Sequence, residues 1–199
     1  MNYLAHGLLS GRDPELVIGN LIADVVRIYN ASDLSPRVRA GIRLHQRIDQ
    51  FTDEHPCFRR SVSRIWPQHR HYSTALVDIF YDHLLACNFD RFSGDESLEA
   101  FSGRVNDILQ NTREAIPPVF FQRARDMSWL TGYAAMDGIR QSLQRLSRRS
   151  RYGVDFTPAA QDLEDRYDEF EGDFLEFFPE AVEFAAFCRE TQPALAGSS

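Results

Sequence analysis

The stretch Val77 to Leu85, Val-Asp-Ile-Phe-Tyr-Asp-His-Leu-Leu, constrains this chain most. Val77, Ile79, Phe80, Leu84 and Leu85 are apolar, and no glycine or proline interrupts them. An apolar run of this kind forms a largely buried helix. Asp82 and His83 stand side by side within it. An unpaired buried carboxylate costs roughly several kcal/mol unless a partner or a metal compensates it. Asp82 and His83 therefore need partners, either neighbouring side chains in a helical core or a metal or catalytic site.

Two earlier segments repeat the pattern. Pro14 to Tyr29 reads as a helix that is apolar around most of its circumference, opened by Pro14 after the cap Asp13. Its strongly polar interior positions, Asn20 and Asp24, are spaced i, i+4 on one face. Ser35-Pro36 opens a second helix to about Thr52, where His45 and Asp49 are again i, i+4 beside Ile42, Leu44 and Ile48. That spacing lets both side chains approach one ion or one water.

The remaining segments read as helices too. They cover Phe58 to Trp66 (stopping before Pro67), Ser73 to Phe89, Ser97 to Ala115, a short helix after Pro117-Pro118 with Phe120 and Phe121, Trp129 to Arg149, and Pro158 to Cys188. His69 and His71 are expected on the surface, and Tyr167, Phe170, Phe174, Phe177 and Phe178 in the core. No strand alternation, Gly-rich phosphate loop, nucleophile elbow or internal repeat is present. The expectation is one all-α helical bundle over residues 1–192, followed by a disordered tail, 193–199.

Composition narrows the function classes. The net charge of −7 disfavours bulk nucleic acid and anionic membranes as partners. No apolar run approaches the roughly 20 residues of a membrane span, and the N-terminus lacks a secretion signal. Cys57, Cys87 and Cys188 are too scattered for a disulfide framework or a CxxC metal site, so the cytosol is the default. All 22 basic residues are arginine. They cluster at Arg37, Arg39, Arg43 and Arg47 and at Arg145, Arg148, Arg149 and Arg151. Local arginine patches on an acidic protein suit a phosphate or an acidic partner, or simply a solvated face.

Three helices thus offer Asp24, His45 with Asp49, and Asp82 with His83, and His6 could join them. Imidazole nitrogens mixed with carboxylate oxygens suit Mn²⁺, Fe²⁺, Zn²⁺ or Mg²⁺.

These residues also carry a resemblance. Met-Asn-Tyr-Leu-Ala-His at the start, Gly19-Asn20-Leu21-Ile22-Ala23-Asp24 with Arg27, Gly41-Ile42-Arg43-Leu44-His45-Gln46-Arg47-Ile48-Asp49 and Tyr81-Asp82-His83 resemble, in order, the acyl-carrier-protein phosphodiesterases. Met136-Asp137 and Phe177-Phe178-Pro179 fit as well. The chain departs from that pattern at Gly7 to Asp13 and at Gly132-Tyr133-Ala134-Ala135. The resemblance implies a rearranged HD-phosphohydrolase fold and Mn²⁺-dependent release of 4′-phosphopantetheine from holo acyl carrier protein. It singles out Asp24, His45, Asp49, Asp82 and His83 for metal. Asp24, His6 and Asn20 would then serve the reacting groups, and Arg27, Arg43, Arg47, Arg145, Arg148 and Arg149 the acidic carrier protein. Two other readings stay open: the same site acting on a nucleotide or other small phosphoester, and a non-enzymatic helical partner-binding domain.

Overall fold

The computed structural model describes residues 2–26, 34–113, 120, 129–150 and 152–191. Its helices are α1 (Tyr3–Leu9), α2 (Pro14–Val26), α3 (Pro36–Glu54), α4 (Pro56–His69), α5 (Ser73–Cys87), α6 (Leu98–Asn111), α7 (Trp129–Gly132), α8 (Met136–Arg149), α9 (Ala159–Asp165) and α10 (Tyr167–Thr191). Among the described residues there is no strand, and the fold is all-α.

Local chemistry sets the helix starts. Asp13 accepts from the amides of Glu15 and Leu16, directly ahead of Pro14. Ser35 accepts from Val38 N ahead of Pro36. His55 closes α3 and opens α4, taking the Cys57 amide on Nδ1 (3.3 Å). Pro56 therefore begins a helix as well as ending one. Pro67, expected to stop α4, lies inside its last turn; near a helix end one missing N–H donor is tolerated. The helix expected over Trp129 to Arg149 is interrupted by a turn at Tyr133 to Ala135. There Gly138 lies so close to the Gly132 carbonyl that no Cβ could stand between them. His71 is exposed as expected, but His69 is half-buried and its Nε2 meets Asp162 at 2.7 Å. Residue 1, residues 27–33, 114–119 and 121–128, residue 151 and the tail after Thr191 lie outside the described residues, and with them the expectations placed there.

Helix α5 runs through the centre and packs on α1, α4, α8 and α10. Leu76, Val77, Phe80, Leu84 and Leu85 are fully buried, as are Phe170, Phe174, Phe177 and Phe178 of α10. Each such side chain contributes roughly 1.5–3 kcal/mol of transfer free energy. The second buried carboxylate, Asp173, is fully paired: Arg60, Arg64 and the Ser61 hydroxyl donate to it, and Ser61 also meets the Tyr81 hydroxyl at 3.0 Å. It knits α4, α5 and α10 together.

The tightest pairing is between α2 and α3. Gly19 and Gly41 face each other, and a Cβ on Gly19 would lie 2.8 Å from the Gly41 Cα. Only two glycines allow this backbone approach. It places Asn20 and Asp24 of α2 against His45 and Asp49 of α3.

Candidate metal centre

His6, on the fourth residue of α1, and His45, on α3, stack ring on ring at 4.0 Å and 18°. Both turn Nε2 toward Asp49, one helical turn beyond His45. His6 Nε2 is 3.0 Å from Asp49 Oδ1, and His45 Nε2 is 3.0 Å from Asp49 Oδ2. Asp24 Oδ1 stands 3.5 Å from the same His45 nitrogen. The imidazoles are buried, whereas Asp24 is exposed and Asp49 half-buried. The group therefore opens to solvent on its carboxylate side.

The protonation pattern can be derived from the hydrogen bonds. Asn20 is fully buried; its amide N–H groups donate to the His6 carbonyl (3.2 Å) and to Ser10 Oγ (2.8 Å). Carbonyls only accept, so the Asn20 amide orientation is set. Its oxygen then faces His45 Nδ1 at 3.1 Å, and that nitrogen carries the proton. His45 Nε2 is left to point at two carboxylates. A lone pair there would be repelled by both, so the position calls for a proton or a metal cation. Burial alone would lower the basicity of His45. The hydrogen bonds to Asp24 and Asp49 outweigh it and hold His45 up at about 9. His45 in turn keeps Asp24 below its ordinary range. Asp49 is also held low, since hydrogen bonds from His45 and His6 overcome its partial desolvation. Burial, reinforced by the charge of His45, pushes His6 down to about 4. The buried Nδ1 of His6 has no hydrogen-bond partner, a cost of about 1–3 kcal/mol.

The donor set fits a divalent cation. One atom each of His6, His45 and Asp49 lies within 4.8 Å of the others, and Asp24 stands beside them. Two imidazoles with carboxylates and a solvent-facing side match catalytic sites that keep open positions for water or substrate.

Asp82 and His83 lie elsewhere. Asp82 Oδ2 accepts from Leu4 N (2.9 Å) and Oδ1 from Ala5 N (3.2 Å), at the first turn of α1. His83 Nδ1 donates to the Tyr133 carbonyl (2.7 Å) and its ring lies 3.7 Å from Cys87 Sγ. Arg43 is exposed, Arg47 lies over the Phe184 ring at 5.5 Å, and Arg145 and Arg148 are exposed on α8. Arg27 and the side chain of Arg149 lie outside the described residues. Helix α1 itself was not anticipated, nor were Ser10 and Tyr133 as its supports. Asn2, whose side chain caps Tyr3 N, is the local signal for that helix.

The profile of the family described as acyl carrier protein phosphodiesterase matches residues 1–181. The chain belongs to the acyl carrier protein phosphodiesterase family. Relatives bearing that name include proteins from Photorhabdus laumondii (31% identity over 93% of this chain and 95% of the relative), Escherichia coli O45:K1 (31%, 94% and 98%) and Salmonella agona (32%, 94% and 98%). No solved structure matches. The family match spans all of α1, α2, α3 and α5, so every residue of the His6–His45–Asp49 group lies within it.

Proposed function

We propose that this chain hydrolyses the phosphodiester joining 4′-phosphopantetheine to a serine of holo acyl carrier protein, using a divalent metal, Mn²⁺ first, with Mg²⁺ or Fe²⁺ as the other candidates. The observation that carries the reading is the cluster of His6, His45 and Asp49 ligand atoms within 4.8 Å of one another, with His45 Nε2 aimed by Asn20 at two carboxylates where a proton or a metal cation must sit. Family membership supports the substrate.

His6, His45 and Asp49 would hold the ion, with Asp24 at its exposed edge. A bound metal would screen the phosphodiester charge and make hydroxide available near neutral pH. Asp24, kept ionised beside His45 and facing solvent, is placed to orient the attacking water and take its proton. Asn20 bonds only inward, so its role is to fix His45 and not to touch substrate. Asp49 holds both imidazoles in line through its two oxygens.

For carrier-protein docking the arginines divide into two sets. Arg37 is committed to Asp13, Arg39 to the Leu34 carbonyl, and Arg140 to Asp137 and Glu164. Arg43 and Arg47, on the helix that bears His45 and Asp49, and Arg145 and Arg148 have no carboxylate partner among the described residues. They are available to an acidic surface. No described helix is long and apolar enough to cross a membrane.

The test is intact-protein mass spectrometry of holo acyl carrier protein incubated with the chain, with Mn²⁺ and with chelator. Metal-dependent loss of the phosphopantetheine mass is expected. A folded, metal-loaded chain that leaves holo protein untouched while cleaving a small phosphoester would overturn the substrate assignment.

A further inference from the structure

Asp82 lies on the central helix, fully buried, with its two oxygens taken by two backbone amides of α1. Burial pushes its carboxyl up to about 7, against the pull of the two α1 amides. A buried carboxylate is an expensive helix anchor unless its geometry is needed. Only a carboxylate presents two acceptors to two adjacent amides, here Leu4 N and Ala5 N. Its charge also faces the positive end of the α1 dipole.

Helix α1 needs such an anchor. It has seven residues, too few to persist alone. Its far end is tied through the His6 carbonyl, which accepts from Ser10 Oγ (2.8 Å) and Asn20 Nδ2 (3.2 Å). Its near end is tied by Asp82, and by Asn2, whose Nδ2 donates to the Tyr133 hydroxyl (3.0 Å). His83 grips the same Tyr133 through its carbonyl. The adjacent pair Asp82-His83 thus brackets the start of α1 from two sides, and His6 follows Ala5 directly.

We infer that Asp82 is a positioning residue: by clamping the first turn of α1 it sets His6 Nε2 against Asp49, and so governs metal affinity without touching the metal. The inference rests on the metal reading above.

Titration with Co²⁺ alone, followed by its visible absorption, tests it in the full chain. Asp82→Asn keeps one acceptor and turns an NH₂ toward the other amide. It is expected to weaken Co²⁺ binding about 10- to 100-fold, the usual effect of losing an outer support of a ligand. In a His6→Gln background the same substitution should produce no further loss, because its effect travels through His6. Ser61→Ala, which cuts the distant Asp173 network, should lower Tm and leave Co²⁺ affinity unchanged. Asp82→Ala is a harsher companion; where it fails to fold, the Asn variant decides. Wild-type affinity in Asp82→Asn, or a full additional loss on top of His6→Gln, overturns the inference while leaving the metal centre standing. Wild-type chain that binds no Co²⁺ overturns both.

Discussion

His6 and His45 come from helices that are not neighbours in sequence, yet their rings stack at 4.0 Å and converge on opposite oxygens of Asp49. Burial and the charge of His45 hold His6 neutral, while Asp24 and Asp49 hold His45 cationic. The proton on His45 Nε2 occupies the direction a metal would take, so proton and metal compete.

That competition predicts the pH dependence of binding. His45 loses its proton near 9, while His6 is already neutral above about 4. Between about pH 5 and 8, Mn²⁺ binding should therefore release close to one proton, and affinity should rise about tenfold per pH unit. Calorimetry in buffers of different ionisation enthalpy measures the proton directly. A pH-independent affinity would remove His45 from the ligand set.

The metal-free chain should lose stability in alkali. His45 is raised from 6.5 to about 9 by folding, so its contribution is complete below pH 6.5 and disappears as pH climbs through 9. The loss is on the order of 1–3 kcal/mol, a fall in Tm of roughly 2–10 °C. Saturating Mn²⁺ should flatten the decline, and His45→Gln should abolish it. Melting curves with and without chelator at pH 6.5 and 9.5 decide the matter.

Asn20→Ala should be costly in two currencies of measurement. It leaves the His45 Nδ1 proton and the buried Ser10 hydroxyl short of a partner, destabilising the fold by about 1–3 kcal/mol. It also frees the His45 ring to rotate, so Mn²⁺ affinity should drop about 10-fold or more even in the fraction that is folded. Wild-type affinity in folded Asn20→Ala would contradict the tautomer argument.

Gly19→Ala tests the helix contact behind the site. The new methyl meets the Val38 carbonyl and the Gly41 Cα, which are backbone atoms and cannot swing aside. Separation of α2 from α3 should cost about 1–3 kcal/mol and draw Asn20 and Asp24 away from His45. Stability and metal affinity should fall together, whereas Gly103→Ala, inside α6 and meeting nothing within 4 Å, should raise stability by about 0.5–1 kcal/mol and leave metal affinity unchanged.

For docking, Arg43→Glu should raise KM for holo acyl carrier protein several-fold and leave kcat nearly unchanged, with the difference shrinking in high salt, where screening shortens to about 3 Å at 1 M. Arg37→Ala, whose guanidinium is already engaged by Asp13, should have little effect on KM. Steady-state kinetics at two ionic strengths separates the pair.

The sequence by itself determined that the chain is helical, that α5 is a buried helix and the aromatic stripe of α10 is core, that Asn20 and Asp24 share one face of α2, and that His45 and Asp49 share one face of α3. Those conclusions follow from local rules: a helix places residues four apart on one side, and proline, serine and aspartate mark its start. The distribution of roles was decided in three dimensions. By sequence Asp82 goes to the metal and His6 to the reacting groups, and both are polar residues in apolar surroundings. Tertiary packing aimed His6 at Asp49 and gave Asp82 the amides of α1 instead. A carboxylate is satisfied as well by two N–H donors as by a cation, and only the path of the backbone around it determines which it meets.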